Sequence, residues 1–406
     1  MDKKKVMLWR LLRLILPLVL VCVILVLGGR VERKVLGAQM DSFYVRAKIT
    51  DVLVDYSTEE FVGIQKVTAE VSQGEHKGEI CELDNPNAYH IGAYGGEGTR
   101  IVALVRVAED GTLKGTVYNH DRTPMIYLLL GLFALVTVLV GGKKGFATLY
   151  ALAFTFLCVI CMYIPLLYVG CNGILAAILT SITILAASIY ILNGWSVKTL
   201  CAIIGTTLGV AVSGLLAMII GHSFHLSGYN MDEVESMVYI ANSSRMKIAD
   251  ILYAGVLISS LGAVMDVSVS IVAAMDEVHQ HAQGLSRKEL FASGMRVGKD
   301  MIGTMSNTLI LAYTGSATGI MMNAYANDMP YLRLMSYNSV VVEILVGLCG
   351  TIGVILTVPL QAFITVLFFG NKTAETKPQE LSQEEVVECE VSVQVKTQIK
   401  NTKKRK

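Results

Sequence analysis

Residues 171–192 read CNGILAAILTSITILAASIYIL, a stretch without a charged side chain. At about 1.5 Å per residue, a helix of this length crosses the hydrocarbon core of a bilayer, which is about 30 Å thick. Because the apolar side chains surround the whole helix, no face of it is suited to bulk water. The stretch therefore predicts a transmembrane helix.

Apolar runs of similar length recur along most of the chain. The sequence is 53% hydrophobic and 17% charged, whereas soluble domains average about 25% charged residues. With a mean hydropathy of +0.55, these values predict an α-helical polytopic membrane protein whose main partner is the lipid bilayer. The net charge of +1 argues against nucleic acid as a partner. About eight transmembrane helices are expected, at 11–27, 124–141, 145–165, 171–192, 198–221, 248–274, 301–325 and 339–369.

Residues 30–122 have a different pattern, in which apolar and polar side chains alternate. Val45, Ala47 and Ile49 are separated by single polar residues, and similar alternation recurs at 101–107. Alternation with a period of two is typical of strands that have one buried and one hydrated face. The region therefore predicts a small antiparallel barrel or sandwich, a β-rich extracytoplasmic domain between the first and second helices.

These patterns divide the chain into four segments. We expect an N-terminus with an uncleaved anchor helix at 1–29, the β-rich domain at 30–122, a transmembrane helical bundle at 123–370 and a polar tail at 371–406. Lys and Arg concentrate in alternate short loops, and such loops usually remain in the cytoplasm. The charge bias thus predicts a multi-pass protein of the cell membrane with both termini cytoplasmic and the β-rich domain outside.

Three acidic residues fall within or at the ends of the predicted spans. They are Asp266, Asp300 and Glu343. An ionisable side chain at the bilayer centre costs about 2.5–3.5 kcal/mol on insertion scales, so it is retained mainly where it has a role. These carboxylates are therefore the first candidates for a functional site.

The helix that begins near Asp300 carries a polar stripe. At about 100° per residue, Asp300, Thr304, Asn307 and Thr314 lie close to one line along it. A hairpin with the preceding helix would bring Asp266 near Asn307 and Thr304. An alternative interpretation is that the Ser, Thr and Asn side chains only hold neighbouring helices together. We predict that a small solute or a cation binds at Asp266, Asn307, Thr304, Asp300, Thr314 and Glu343.

Patterns for catalysis and metal binding are weak. His279 and His281 lie near Asp276 and Glu277, between two predicted spans, but their spacing matches no standard metal site. The sequence has no Walker-type, nucleophile-elbow or HExxH motif. We therefore expect no cofactor, no bound metal and no catalytic residue. An intramembrane enzyme is the least favoured alternative, because it would depend on the same polar residues.

Several short motifs resemble those of a known family. They are GEHKGE at 74–79, DRTP at 121–124, GAVMDV at 262–267, SRKELF at 286–291 and GTMSNTLILAY at 303–313. On these motifs the chain resembles the YibE/F family of bacterial membrane proteins, from about residue 40 to residue 370. Lys299 departs from the expected pattern, in which arginine occupies this position. The resemblance implies an outer domain followed by a multi-helix bundle, and it implies little about mechanism.

Two classes of function fit these observations. The first is a transporter or permease, in which Asp266 binds a cation or proton and Asn307 and Thr304 orient the solute. The second is a non-catalytic scaffold or sensor of the cell envelope, in which residues 30–122 contact an envelope protein. The first predicts that Asp266 is essential, whereas the second predicts that the outer domain is.

Overall fold

The computed structural model describes residues 29, 42–56, 62–87, 92–109, 111–231, 234–281 and 285–369. The predicted anchor helix at 11–27 and the polar tail at 371–406 lie outside the described residues. The described part of the chain begins with a β barrel and continues as a series of mostly long helices.

A five-stranded closed barrel forms the N-terminal part. Its strands follow the order β1-β2-β3-β5-β4, and β4 pairs again with β1. Four of the five pairings are antiparallel, and β3 and β5 are parallel. This order is that of the OB-fold, a small Greek-key barrel. The strands are β1 (Ser42–Asp55), β2 (Gly63–Val71), β3 (Ile80–Asn87), β4 (Arg100–Val107) and β5 (Leu113–His120).

The prediction of a small β-rich unit is confirmed, but the pairing is not wholly antiparallel as expected. The reason is topological. Strand direction must alternate around an antiparallel ring, and an odd number of strands cannot alternate and also close. A ring of five strands therefore contains at least one parallel pair, here β3 with β5.

The predicted alternation appears in the interior of the barrel. Ala47, Ile49, Val67 and Ile101 are at most 1% exposed, whereas their polar neighbours point outward. Cys81 is also fully buried, and burial raises the pKa of its thiol to about 11. The side chains that alternate inward therefore form a hydrophobic core that belongs to the barrel alone.

The helices that follow are numbered in chain order. They are α1 (Thr123–Cys158), α2 (Ile164–Val169), α3 (Gly173–Asn193), α4 (Val197–Ser223), α5 (Val234–Ser243), α6 (Ile251–His281), α7 (Arg287–Ser316), α8 (Thr318–Ala326), α9 (Tyr331–Leu334) and α10 (Asn338–Phe369). A π-helical turn at Val159–Tyr163 connects α1 to α2.

Five helical stretches in the described residues are long and apolar enough to cross a membrane. This confirms a mostly helical membrane protein, but it does not confirm the predicted count of about eight helices. The five stretches are Thr123–Val169, Gly173–Asn193, Val197–Ser223, Ile248–His281 and Asn338–Phe369.

Two predicted spans have different bounds in the structure. The expected span at 301–325 is divided, because α7 ends at Ser316 and α8 begins at Thr318. The span expected at 248–274 continues to His281 as α6, and α7 begins at Arg287, after a capping box of Ser286 and Glu289, rather than at residue 301. The last helix, Asn338–Phe369, agrees with the predicted span 339–369 and contains Pro359.

A sharp bend divides the first apolar stretch at Gly142. This glycine has φ 54° and ψ −130°, a conformation that side-chain-bearing residues rarely adopt. A Cβ atom on Gly145 would lie only 2.9 Å from the carbonyl carbon of Thr137. In a straight helix, positions eight residues apart are about 12 Å apart. The chain therefore turns steeply between the two predicted spans 124–141 and 145–165.

The centre of the helical part is formed by α4, α6 and α10, each of which contacts the other two. Helix α7 packs on the outside of this group, against α6 and α10. Small residues permit the approach: a Cβ on Gly294 of α7 would lie 3.2 Å from Ala362 of α10. Helix α7 is thus a peripheral helix with a wide outward surface.

The barrel provides a stability test at Gly115, where a Cβ atom would lie 2.8 Å from the Cα of Val105 and closer to the Leu104 carbonyl. We expect Gly115→Ala to destabilise the barrel by about 2 kcal/mol through overpacking. Cys81 should then react faster with a polar maleimide, which mass spectrometry of its peptide would measure. Gly96→Ala is the matched control, because open space surrounds Gly96. Equal labelling in the two variants would contradict the described packing of β4 on β5.

Candidate functional site

Asp266 lies on an outward face of α6 made of small and polar side chains. This α6 face consists of Gly255, Ser259, Gly262, Asp266 and Ser270, all of which are exposed. Their spacing of three or four residues places them along one line of the helix. The rest of the helix surface is covered, because α6 contacts α3, α4, α7 and α10. The carboxylate therefore projects from the bundle surface at the middle of a long apolar helix.

The predicted polar stripe of α7 also points outward. Asp300, Thr304, Asn307 and Thr314 are all exposed. The Thr304 hydroxyl donates a hydrogen bond to the carbonyl of Met301, at 3.0 Å within its own helix. The alternative interpretation of the stripe expects this hydroxyl to donate to a neighbouring helix. It donates within α7 instead.

Contacts at both ends fix the register between α6 and α7. At one end, a Cβ on Gly294 would lie 3.1 Å from Met275 Cγ. Towards the other end, a Cβ on Gly350 of α10 would lie 3.7 Å from Ser260 Cβ and 3.8 Å from the Tyr313 hydroxyl. Helices α6 and α7 are therefore antiparallel neighbours over most of their length.

This register places the two polar faces at the same depth. Asn307 lies within about one turn of Gly262 along the helix axes, and Asp266 lies within about one turn of Gly303. Each polar side chain is thus level with a glycine of the other helix. Both glycines have open space where a Cβ would be. The structure brings Asp266, Thr304 and Asn307 to one depth on the exposed faces of adjoining helices.

Thr314 and Glu343 belong to a different place, a cavity at the other end of α7. This helix-end cavity has a volume of about 970 Å³ and lies between the last two turns of α7, the helices α8 and α9, and the start of α10. Asp328, in the loop between α8 and α9, lines it as well. The six predicted site residues therefore divide into two groups, because Asp266, Asp300, Thr304 and Asn307 do not line this cavity.

Asp328, Tyr313 and Tyr325 also line the helix-end cavity, and none of them is among the site residues predicted from the sequence. The cavity lies beside the break in the helical path at Ala317, where α7 ends at Ser316 and α8 begins at Thr318. Hydroxyl groups at the break give a local signal: Ser316 bonds the carbonyl of Tyr313 at 2.8 Å, and Thr318 that of Gly315 at 2.8 Å. Such bonds compete with the helical backbone.

The acidic and histidine residues at the end of α6 point in different directions. Asp276 is buried and pairs with Lys198 of α4 and with Gln280. Glu277 and His281 form an exposed pair at 2.9 Å, and the His279 ring lies near Phe369. Among the described residues no group of three potential metal ligands converges. Asp276 and His279 therefore contact neighbouring helices, whereas the Glu277–His281 pair lies within α6.

Asp121 joins the end of the barrel to the first helix. Its carboxylate accepts a hydrogen bond from the backbone of Thr123 at 3.1 Å and lies 3.7 Å from Nε of Arg46. Burial acts to raise the pKa of this carboxyl, but the bonds from Thr123 and the charges of Arg46 and Arg100 hold it below its usual value. The DRTP motif at 121–124 is thus a structural junction.

The protein is an integral membrane protein of several spans. Its long apolar helices follow a folded barrel and carry acidic groups. A family model described as YibE/F-like protein matches residues 129–371. This match covers more than half of the chain, which therefore belongs to the YibE/F family. Comparison with curated proteins and with solved structures gave no match.

The Asp276–Lys198 pair provides a test of how the helices are joined. The Asp276 side chain is 6% exposed and that of Lys198 is 45% exposed, so the pair is only partly screened by water. We expect Asp276→Asn to lower the free energy of unfolding by about 2 kcal/mol, because Lys198 loses its charge partner. Glu277→Gln, at an exposed pair, should change it by less than about 0.5 kcal/mol. Thermal unfolding in detergent measures both, and equal shifts would contradict the assignment.

Proposed function

We propose that this YibE/F-family protein is a transporter or permease for a small solute or ion, and that the α6 face with Asp266 is its ion-binding site. One observation carries the proposal: the carboxylate of Asp266 projects from the middle of a long apolar helix, level with Asn307 and beside glycines with open space. A permeating ion needs this combination of charge, polar ligands and room.

The energetics argue against a carboxylate that simply faces lipid. Such exposure costs about 2.5–3.5 kcal/mol on insertion scales. The adjoining stripe on α7 adds Asp300, Thr304 and Asn307 to the same surface. Water and a cation between the two helices would remove this cost, and the glycines at 262 and 303 would give them access.

The proposal includes the predicted topology of eight helices. The stretch Thr123–Val169 has 47 residues, about 70 Å of helix, which is more than twice the thickness of a hydrocarbon core. The bend at Gly142 supports two crossings within it. Helix α7 is long enough for a further crossing, although its polar stripe lowers its hydropathy. With α3, α4, α6, α10 and the predicted anchor at 11–27, the count is eight, which places both termini on one side of the membrane, and the Lys and Arg bias of the loops makes that side the cytoplasm.

The test measures the melting temperatures of wild type and Asp266→Asn, both purified in detergent. Each is measured with added sodium, potassium, lithium, magnesium or calcium, and over a series of pH values. A ligand at about a hundredfold its dissociation constant stabilises by roughly 2.7 kcal/mol. We expect one cation, or protons, to raise the melting temperature of wild type but not of the variant. The control is Glu277→Gln, which removes an exposed carboxylate at the end of the same helix. This variant should respond like wild type.

A cation found in this way is then followed in proteoliposomes, where uptake should be lost in Asp266→Asn. If wild type and Asp266→Asn respond alike to every ion and at every pH, Asp266 is not an ion site and this proposal fails.

A second candidate function is that of a non-catalytic scaffold or sensor of the cell envelope. The observation that favours it is the barrel, a closed unit with its own core and an exposed aromatic pair, Tyr44 and Tyr118, whose ring centroids are 5.6 Å apart. Exposed tyrosines are typical of protein-binding surfaces. In this case the full-length protein should bind one envelope protein in a fixed ratio, and Tyr44→Ser with Tyr118→Ser should abolish binding while Asp266→Asn does not.

A further inference from the structure

The helix-end cavity has two chemical properties that together define a class of ligand. Its volume of about 970 Å³ is at the upper end of the range of about 300–1,000 Å³ that is typical of sites for drug-sized molecules. Most of its lining is aliphatic or methionine side chains and small residues. The cavity is therefore large enough and apolar enough to bury an organic molecule.

The polar groups of the cavity have one sign of charge. Among the described residues, its charged lining side chains are Glu343 and Asp328, and no Lys, Arg or His side chain lines it. Glu343 is half-buried on α10, whereas Asp328 is exposed at the loop between α8 and α9. A carboxylate next to an apolar wall attracts a cation more strongly than one in water, because the local dielectric constant is lower.

Two aromatic side chains add to this preference. Tyr313 and Tyr325 line the cavity from α7 and α8. Aromatic faces attract organic cations by about 0.5–1 kcal/mol at exposed sites and by about 2 kcal/mol where water is excluded, and Tyr325 is 87% exposed. The Thr314 hydroxyl provides a further polar contact for the ligand.

From these features we propose that the helix-end cavity binds an apolar organic monocation, with Glu343 as its main charge partner and Asp328 at the entrance. The inference deepens the proposed function, since it names the solute class of the transporter, and its test measures binding alone. Binding without transport would leave the cavity assignment intact and count against the transporter, so that the two failures are distinguishable.

The experiment uses the full-length protein in nanodiscs of zwitterionic lipid, with empty nanodiscs subtracted to remove partitioning into the bilayer. The probes are tetraphenylphosphonium and tetraphenylborate, which have nearly the same size and shape but opposite charge. We expect saturable binding of the phosphonium and none of the borate. Isothermal titration calorimetry or equilibrium dialysis measures the dissociation constants.

Glu343→Gln should weaken phosphonium binding at least about tenfold, since the main opposite charge is lost. Glu343→Asp should restore most of the affinity, and Asp328→Asn should have a smaller effect than Glu343→Gln. Glu277→Gln, which is exposed and does not line the cavity, is the control. Thermal unfolding of each variant shows whether it remains folded. If Glu343→Gln does not fold, Asp328→Asn, which lies on a loop, still tests the role of negative charge at the cavity.

Two results would overturn the proposal. Equal binding of the phosphonium and the borate, unchanged in Glu343→Gln, would mean that the cavity takes any apolar body, such as a lipid tail. Absence of saturable binding of either probe would mean that the cavity does not hold an organic ion.

Discussion

The close contact between α4 and α10 is the interaction on which the helical part depends. Hydrophobic burial does not drive helices together in lipid. The stability of a helix–helix contact there depends on close packing and on hydrogen bonds between the helices. A Cβ on Gly209 of α4 would lie 3.1 Å from Thr357 Cβ of α10, and one on Gly353 of α10 would lie 2.5 Å from Ser213 Cβ of α4. The Ser213 hydroxyl donates to the carbonyl of Cys349 at 3.1 Å, and Gln361 donates to that of Cys201 at 3.2 Å.

This packing explains why the candidate sites lie at the periphery. Helices α4 and α10 enclose one side of α6, and Val264 and Leu257 of α6 contact the glycines of α4. The opposite side of α6, with Asp266, is left outward. Helix α7 joins through Gly294 and Gly298 and so cannot cover that side completely. The tight centre therefore leaves polar faces at the edge of the bundle, where a ligand can reach them.

The sequence predicted the local patterns well and the long-range contacts poorly. Alternation in 101–107 identified a strand whose inward residues Ile101, Ala103 and Val105 are buried, because period-two patterning is a local property. The burial of Asp276 against Lys198 could not be predicted in this way. It depends on how α4 and α6 approach each other, and the surrounding charges at 276–281 resemble an ordinary hydrated face.

The stripe on α7 shows how one helical pattern can belong to two places. Asn307 and Thr314 are seven residues apart, about two turns or 10 Å, and face nearly the same direction. Yet Asn307 lies level with the α6 face, whereas Thr314 lines the helix-end cavity. The break at Ala317 makes the difference, because the cavity lies beside it, between the last turns of α7, the helices α8 and α9, and the start of α10. A periodic pattern gives the direction of a side chain, but the elements that meet that side chain are set by where the helix ends.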